Sequence, residues 1–136
     1  MPIDAPDYVL WSQPVEVVIN TPTPLSASTE TPIDVTQGKV SDSTQTYQTL
    51  ATWTVAAAKT GILYGVELGA SDFTKANFQL TIGGVVKWTG IEWPTFVNSH
   101  YGEARLAAGA VVLLEGKSNS GTSVDMWGHI EGKEIG

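Results

Sequence analysis

From Tyr47 onward the chain reads as strand and turn. In Tyr47-Gln-Thr-Leu-Ala-Thr-Trp-Thr-Val55 the residues Tyr47, Ala51, Trp53 and Val55 share a face, the pattern of a half-buried strand. Lys59-Thr-Gly61 turns the chain into Ile62–Leu68, where the period of two predicts Ile62, Tyr64, Val66 and Leu68 inward and Gly65, Glu67 and Gly69 outward. Phe78–Ile82 and Val85–Trp88 flank Gly83-Gly84, a two-residue hairpin loop whose central positions both favour positive φ. Pro94 donates no ladder hydrogen bond, so Ile91-Glu-Trp-Pro94 predicts an edge or crossover, and Thr95–Arg105 a long loop with a short strand. Leu106-Ala-Ala-Gly109 turns into the apolar run Ala110–Leu114, and Ser118-Asn-Ser-Gly121 into a last strand over Thr122–Glu131. These two strands are predicted to form a hairpin. Val124, Met126 and Ile130 share one face of the last strand, which leaves Asp125, Trp127, His129 and Glu131 on the other and Trp127 outside the core. Helical signal is confined to one turn in Ser71–Ala76, capped by Ser71 or Asp72. Short strands with glycine turns predict an all-β protein, a sandwich or a barrel.

The first 45 residues have a different pattern. Six of the seven prolines lie in the first 32 residues among many Thr and Ser, so this part cannot be helical. It reads as an extended arm, residues 1–45, ahead of a sandwich over residues 46–136. Within the arm, Tyr8-Val-Leu-Trp11 and Val15-Glu-Val-Val-Ile19 favour short strands, the second with Val15, Val17 and Ile19 on one face. Tyr8, Leu10, Trp11, Val15, Val17 and Ile19 would be poor choices for a merely solvated tail. They are expected to anchor the arm on another chain, with the alternative that Val15–Ile19 is the first strand of the sandwich itself.

Charge and composition narrow the function classes. Seven Lys and Arg against 14 Asp and Glu give a formal charge of −7, which argues against a phosphate-binding surface and hence a nucleic-acid partner. Six acids against Lys39 alone put most of that charge in the arm. With no cysteine there is no disulfide, thiolate metal site or cysteine nucleophile. No stretch approaches the roughly 20 apolar residues of a membrane span, and Met-Pro-Ile-Asp-Ala-Pro lacks the basic start of a signal peptide, so a soluble chain without membrane partner is expected.

Catalytic motifs fail on inspection. His100 with Glu103, or His129 with Glu131, supplies two metal ligands and no third, so no metal or cofactor is expected. Around Gly116-Lys117-Ser118 the first glycine of a phosphate loop would fall on Val111, and the second glycine of a serine-nucleophile motif falls on Ser120. Glu67, Glu92, Glu103 and Asp125 are of the type that hydrolyses glycosides, but residue type alone brings no pair to catalytic separation. No catalytic residue is assigned, and the expectation is a chain that is not an enzyme. Five tryptophans are many for 136 residues. Trp53 and Trp88 alternate with inward residues and are expected in the core. Trp93, beside Pro94, could stack on a sugar ring, anchor an interface or pack within the chain, and Trp88 and Tyr101 are further candidates for glycan stacking.

The stretch from Ile62 to Glu134 resembles small jelly-roll domains of tailed-phage virion proteins, with capsid decoration (cement) proteins as the nearest group. Its Gly-Gly hairpin, Leu106-Ala-Ala-Gly-Ala-Val-Val-Leu-Leu114, Ser-Asn-Ser-Gly turn and closing Trp127-Gly-His-Ile-Glu-Gly-Lys-Glu134 carry the resemblance. The resemblance implies a jelly-roll β-sandwich behind an extended N-terminal arm, acting in the virion after assembly in the host cytoplasm. The implied partners are the major capsid protein and neighbouring copies in a homotrimer, with the arm anchors and Trp127 at the interface. A carbohydrate-binding module or receptor-binding tip is the alternative.

Overall fold

The computed structural model describes residues 28–136, so the arm anchors Tyr8, Leu10, Trp11, Val15, Val17 and Ile19 lie outside the described residues. In chain order the elements are β1 (Glu30–Asp42), β2 (Gln48–Thr54), β3 (Thr60–Ala70), a single 3-10 turn (Phe73–Lys75), β4 (Ala76–Ile82), β5 (Val85–Ile91), β6 (Val97–Leu106), β7 (Val111–Ser118) and β8 (Val124–Ile135). The 3-10 turn is capped as its sequence predicts, by Asp72, whose carboxylate accepts from the Thr74 N–H.

Gly83 and Gly84 adopt φ of 58° and 82°, and Ile82 pairs with Val85 across them. This hairpin is the innermost of a nested set. The same antiparallel sense pairs β3 with β6, β2 with β7 and β1 with β8, as in one long hairpin rolled up from its tip. Rolling distributes the strands into two sheets, ordered β1-β8-β3-β6 and β2-β7-β4-β5. The chain is therefore an all-β jelly-roll sandwich.

Four expectations are corrected by this arrangement. First, Glu30–Asp42, assigned to the arm, is the edge strand of the first sheet and pairs with β8 from Glu30↔Ile135 to Lys39↔Met126. Pro32 is tolerated because an edge strand needs no donor on its open side, and Ile33 and Val35 pack against the core. A cut at residue 45 would thus remove a strand of the sandwich. Second, β7 and β8 do not form a hairpin: β7 lies between β2 and β4, and β8 between β1 and β3. Third, Thr95–Arg105 holds most of the ten-residue edge strand β6 rather than a long loop.

The fourth correction is one of phase. The register along β3 jumps between Leu63 and Gly65 on both sides, so Tyr64 is a bulged residue. One extra residue reverses the alternation. Leu63, Val66, Leu68 and Ala70 join the core cluster, while Ile62 lines a small outer cleft with Glu103, Arg105 and Lys133, and Tyr64 lies under the Lys133 ammonium. On β6 the bulge is matched by Gly102 and Glu103, with φ of 54° and 66°.

The core lies between the sheets around Leu50, Trp53, Leu63, Leu68, Phe78, Leu80, Leu114, Met126 and Ile130. Trp53 is 4% exposed and its ring rests against Gly61 and Gly132, where a Cβ would lie 3.0 and 3.2 Å from the indole. Its Nε1–H donates to Glu134 at 2.9 Å, and the Ala56 N–H donates to the same carboxylate oxygen. These two donors hold the Glu134 carboxyl below the usual carboxylate range, outweighing the burial that would raise it. The buried indole is therefore both packed and satisfied.

Candidate functional site

Trp127 projects from the outer face of the β1-β8-β3-β6 sheet, the side to which strand alternation assigns it. Its cross-strand neighbours are Gly38 on β1 and Gly69 on β3. A Cβ on Gly69 would lie 2.2 Å from Trp127 Cε2 and Cζ2, and one on Gly38 3.2 Å from Trp127 Cβ. The indole therefore lies down over the backbone of β3, which only glycine permits at that distance. With 39% of its surface exposed, Trp127 turns one face to the sheet and leaves the other open.

Beside this platform runs a row of polar side chains. The register aligns Thr36, His129, Glu67 and Asn98 across all four strands, one step along β8 from Trp127. Two strand residues rise about 7 Å, roughly the width of a sugar ring with its hydroxyls. Asn98 Nδ2 donates to Glu67 Oε1 at 2.8 Å, His129 Nδ1 lies 3.5 Å from Glu67 Oε2, and His129 Nε2 lies 2.7 Å from Asp34 Oδ1. Each side chain is oriented by the next. Asp34 remains 78% exposed, so its second carboxylate oxygen and the Asn98 carbonyl face solvent as acceptors.

The opposite sheet offers no comparable surface. On its outer side Gln79 donates to Glu115, Thr89 to the Gln79 carbonyl, the Tyr47 hydroxyl to Thr89 and the Gly90 N–H to the Tyr47 hydroxyl, while Lys117 caps the Tyr47 ring at 4.8 Å. That network satisfies itself and covers its aromatic. A groove of about 610 Å3 at one end of this sheet is lined by Thr81, Gly83, Gly84, Leu113 and the small residues of Ala107–Val111, which give a ligand little to orient it.

The expected glycan-stacking residues are used differently. Trp88 on β5 and Tyr101 on β6 stand on the two edge strands of one open side of the sandwich. Trp88 Nε1 donates to the Tyr101 hydroxyl at 3.4 Å, and Trp93 meets Trp88 edge to face with centroids 6.1 Å apart. All three are half-buried against the core and close that seam, so Trp88 is a core-margin residue. The carboxylates are dispersed: Glu67 binds Asn98, Glu92 binds Asn119, Asp125 accepts the Ser41 N–H, and Glu103 lines the cleft at Lys133. His129 pairs with Asp34 and Glu67, not with Glu131, and among the described residues no group of three or more His, Asp or Glu side chains is arranged to hold a metal ion.

Trp127 and its outward setting follow from alternation. Gly38, Asp34, Thr36 and Asn98 were missed because β1 and most of β6 were not read as strands. The available signal was Ile33 and Val35 alternating with Asp34 and Thr36, and the outward glycine Gly69 on β3.

No family model and no curated protein matches the chain. Among solved structures the chain is similar to the CBM36-1 domain of a multidomain xylanase from the hindgut metagenome of Trinervitermes trinervoides. The identity is 15%, the coverage 79% of this chain and 97% of that one, and the TM-score 0.36. That likeness is too loose to bear on function.

Proposed function

We propose that this chain is a non-catalytic carbohydrate-binding domain whose site is the outer face of the β1-β8-β3-β6 sheet. The observation that carries this reading is the indole of Trp127, laid flat over Gly69 with its outer face open, next to an ordered row of hydrogen-bonding side chains. The C–H face of a pyranose covers such a ring, and its edge hydroxyls then meet His129, Glu67, Asn98 and Asp34. Apolar contact supplies area while the polar row fixes orientation. A glycan array with the isolated protein, followed by titration monitored by tryptophan fluorescence, tests the reading. Specific binding that Trp127→Ala weakens at least tenfold is expected. Binding unaffected by that substitution overturns the assignment of the site.

A second reading has one observation in its favour. Val40 and Phe96 are exposed along with Trp127, and large exposed apolar groups suit a protein partner. In that reading the domain decorates a phage capsid as a homotrimer, with the major capsid protein as partner. Sedimentation of the protein with purified particles, and no glycan binding, is the result that favours it.

A further inference from the structure

If the outer sheet face is a carbohydrate site, as proposed above, the charges around Trp127 narrow its ligand class. The outward residues of β8 on either side of the indole are Asp125 and His129, followed by Glu131. Glu67 stands opposite His129 on β3, and Asp34 stands opposite Glu131 on β1. Asp125 and Glu67 thus lie one outward step from the indole and Glu131 and Asp34 two, with the His129 imidazole between Glu67 and Asp34. The Asp125 carboxylate accepts the Ser41 N–H, so it is fixed but keeps its charge.

The cations on this sheet are elsewhere. Lys133 is three outward positions from Trp127 along β8 and is bound to Glu30 at 3.0 Å. Arg105 stands at the same end, in the cleft with Lys133 and Ile135. Lys39 pairs with Met126, whose side chain is buried in the core, and so belongs to the inward set of β1. His100 is the outward residue opposite Gly65, two residues along β3 from Glu67. The sheet face is acidic at the aromatic end, whereas at the other end Lys133 and Arg105 are balanced by Glu30 and Glu103.

We infer that the site prefers amino sugars, glycans that carry a free protonated amino group, over their neutral counterparts, and rejects glycans bearing carboxylate or sulfate groups. A pyranose stacked on Trp127 carries its ring substituents over the Asp34–His129–Glu67 row. An ammonium there donates to the outward-facing carboxylate oxygen of Asp34, whereas an anion meets the carboxylates on both sides of the imidazole. Exposed ion pairs are individually weak and screened by salt, so the preference is a few-fold and salt-sensitive.

The test uses the full chain and three matched probes: oligomers of glucosamine, of N-acetylglucosamine, and of galacturonic acid, titrated calorimetrically at pH 6 and low salt. The expected order is glucosamine tighter than N-acetylglucosamine by roughly three- to tenfold, with no measurable galacturonate binding. Asp34→Asn and Glu131→Gln should each shrink the ratio, and about 1 M salt should bring it near one. Trp127→Ala should abolish binding of both amino-sugar oligomers. Equal affinity for the acetylated and free-amine probes, or binding of galacturonate, overturns the charge preference while leaving the carbohydrate reading in place. Failure of every probe and of a broader array overturns that reading and this inference with it.

Discussion

Trp53 and Trp127 solve the same packing problem on opposite faces of one sheet. Each indole rests against glycine, Trp53 reaching across from β2 to Gly61 and Gly132 of the facing sheet and Trp127 lying over Gly69 of the adjacent strand, with Gly38 beside its Cβ. Inside, the ring is 4% exposed, its N–H is bound by Glu134, and it is held between its own sheet and the inner face of the other. Outside, Trp127 keeps 39% of its surface exposed. The difference separates two settings of a glycine bed: in the core it lets a large ring fit between two layers, and on the surface it lets a ring pack on strand backbone while part of it stays exposed.

The comparison can be broken at the core first. Trp53→Ala removes a buried aromatic and leaves Glu134 without its indole partner, so a loss of about 3–5 kcal/mol is expected, enough to unfold much of a small domain. Thermal melting followed by circular dichroism measures it, and an unchanged midpoint would mean the inward face was assigned to the wrong residues.

Next come the glycines themselves. A Cβ on Gly132 would lie 2.4 Å from the Ile62 carbonyl oxygen, a backbone atom, and also press on the Trp53 ring. Gly132→Ala is therefore expected to cost about 1–3 kcal/mol through overpacking. Denaturant titration beside the wild-type chain checks it.

Acid sensitivity sharpens the inner half of the comparison. Glu134 is held below its ordinary value near 4.5, so its contribution to stability is present above that value and disappears as pH falls through the lowered folded one. Glu134→Gln retains a carbonyl to accept from Trp53 or Ala56 but no charge. The variant should lose about 1 kcal/mol at neutral pH and show a shallower fall in stability as pH drops below about 4.5. Asp42 and Asp72, lowered by hydrogen bonds from Thr44 and Thr74, titrate in the same direction and remain in both proteins. Melting temperatures across that pH range would reveal parallel curves if Glu134 contributed nothing.

The smallest stability effects belong to the outer ring. Gly69→Ala places its Cβ against the Trp127 ring, a part-exposed side chain that can swing into solvent, so stability should change by about 0.5 kcal/mol or less, whereas Trp127→Ala, which removes packed ring surface, should cost about 1 kcal/mol. If the proposed carbohydrate site is correct, both should nevertheless lose glycan binding, because one displaces the platform and the other removes it. A Gly69→Ala protein that binds as well as wild type would show that a flat indole is unnecessary.

Local pattern was sufficient for much of the fold. Gly83-Gly84 specified its hairpin because two positive φ values leave few other conformations, and Val124, Met126 and Ile130 declared the inner face of β8 through simple alternation. Trp127 was thereby placed outside. β1 was hidden because Pro32 and a run of polar residues resemble an extended arm until β8 is there to pair with them, an edge strand needing apolar residues on one side only. The phase of β3 was hidden as well, since the bulge at Tyr64 shows only in its register with β8 and β6 and not in β3's own alternation. The platform shows the division most sharply. Alternation within β8 turned Trp127 outward, but only strand register brought Gly38 and Gly69 to either side of it. Hydrogen bonding between residues remote in sequence then lined up Asp34, His129, Glu67 and Asn98 in the adjoining row, because contacts across a sheet are set by pairing and not by any one strand's own pattern.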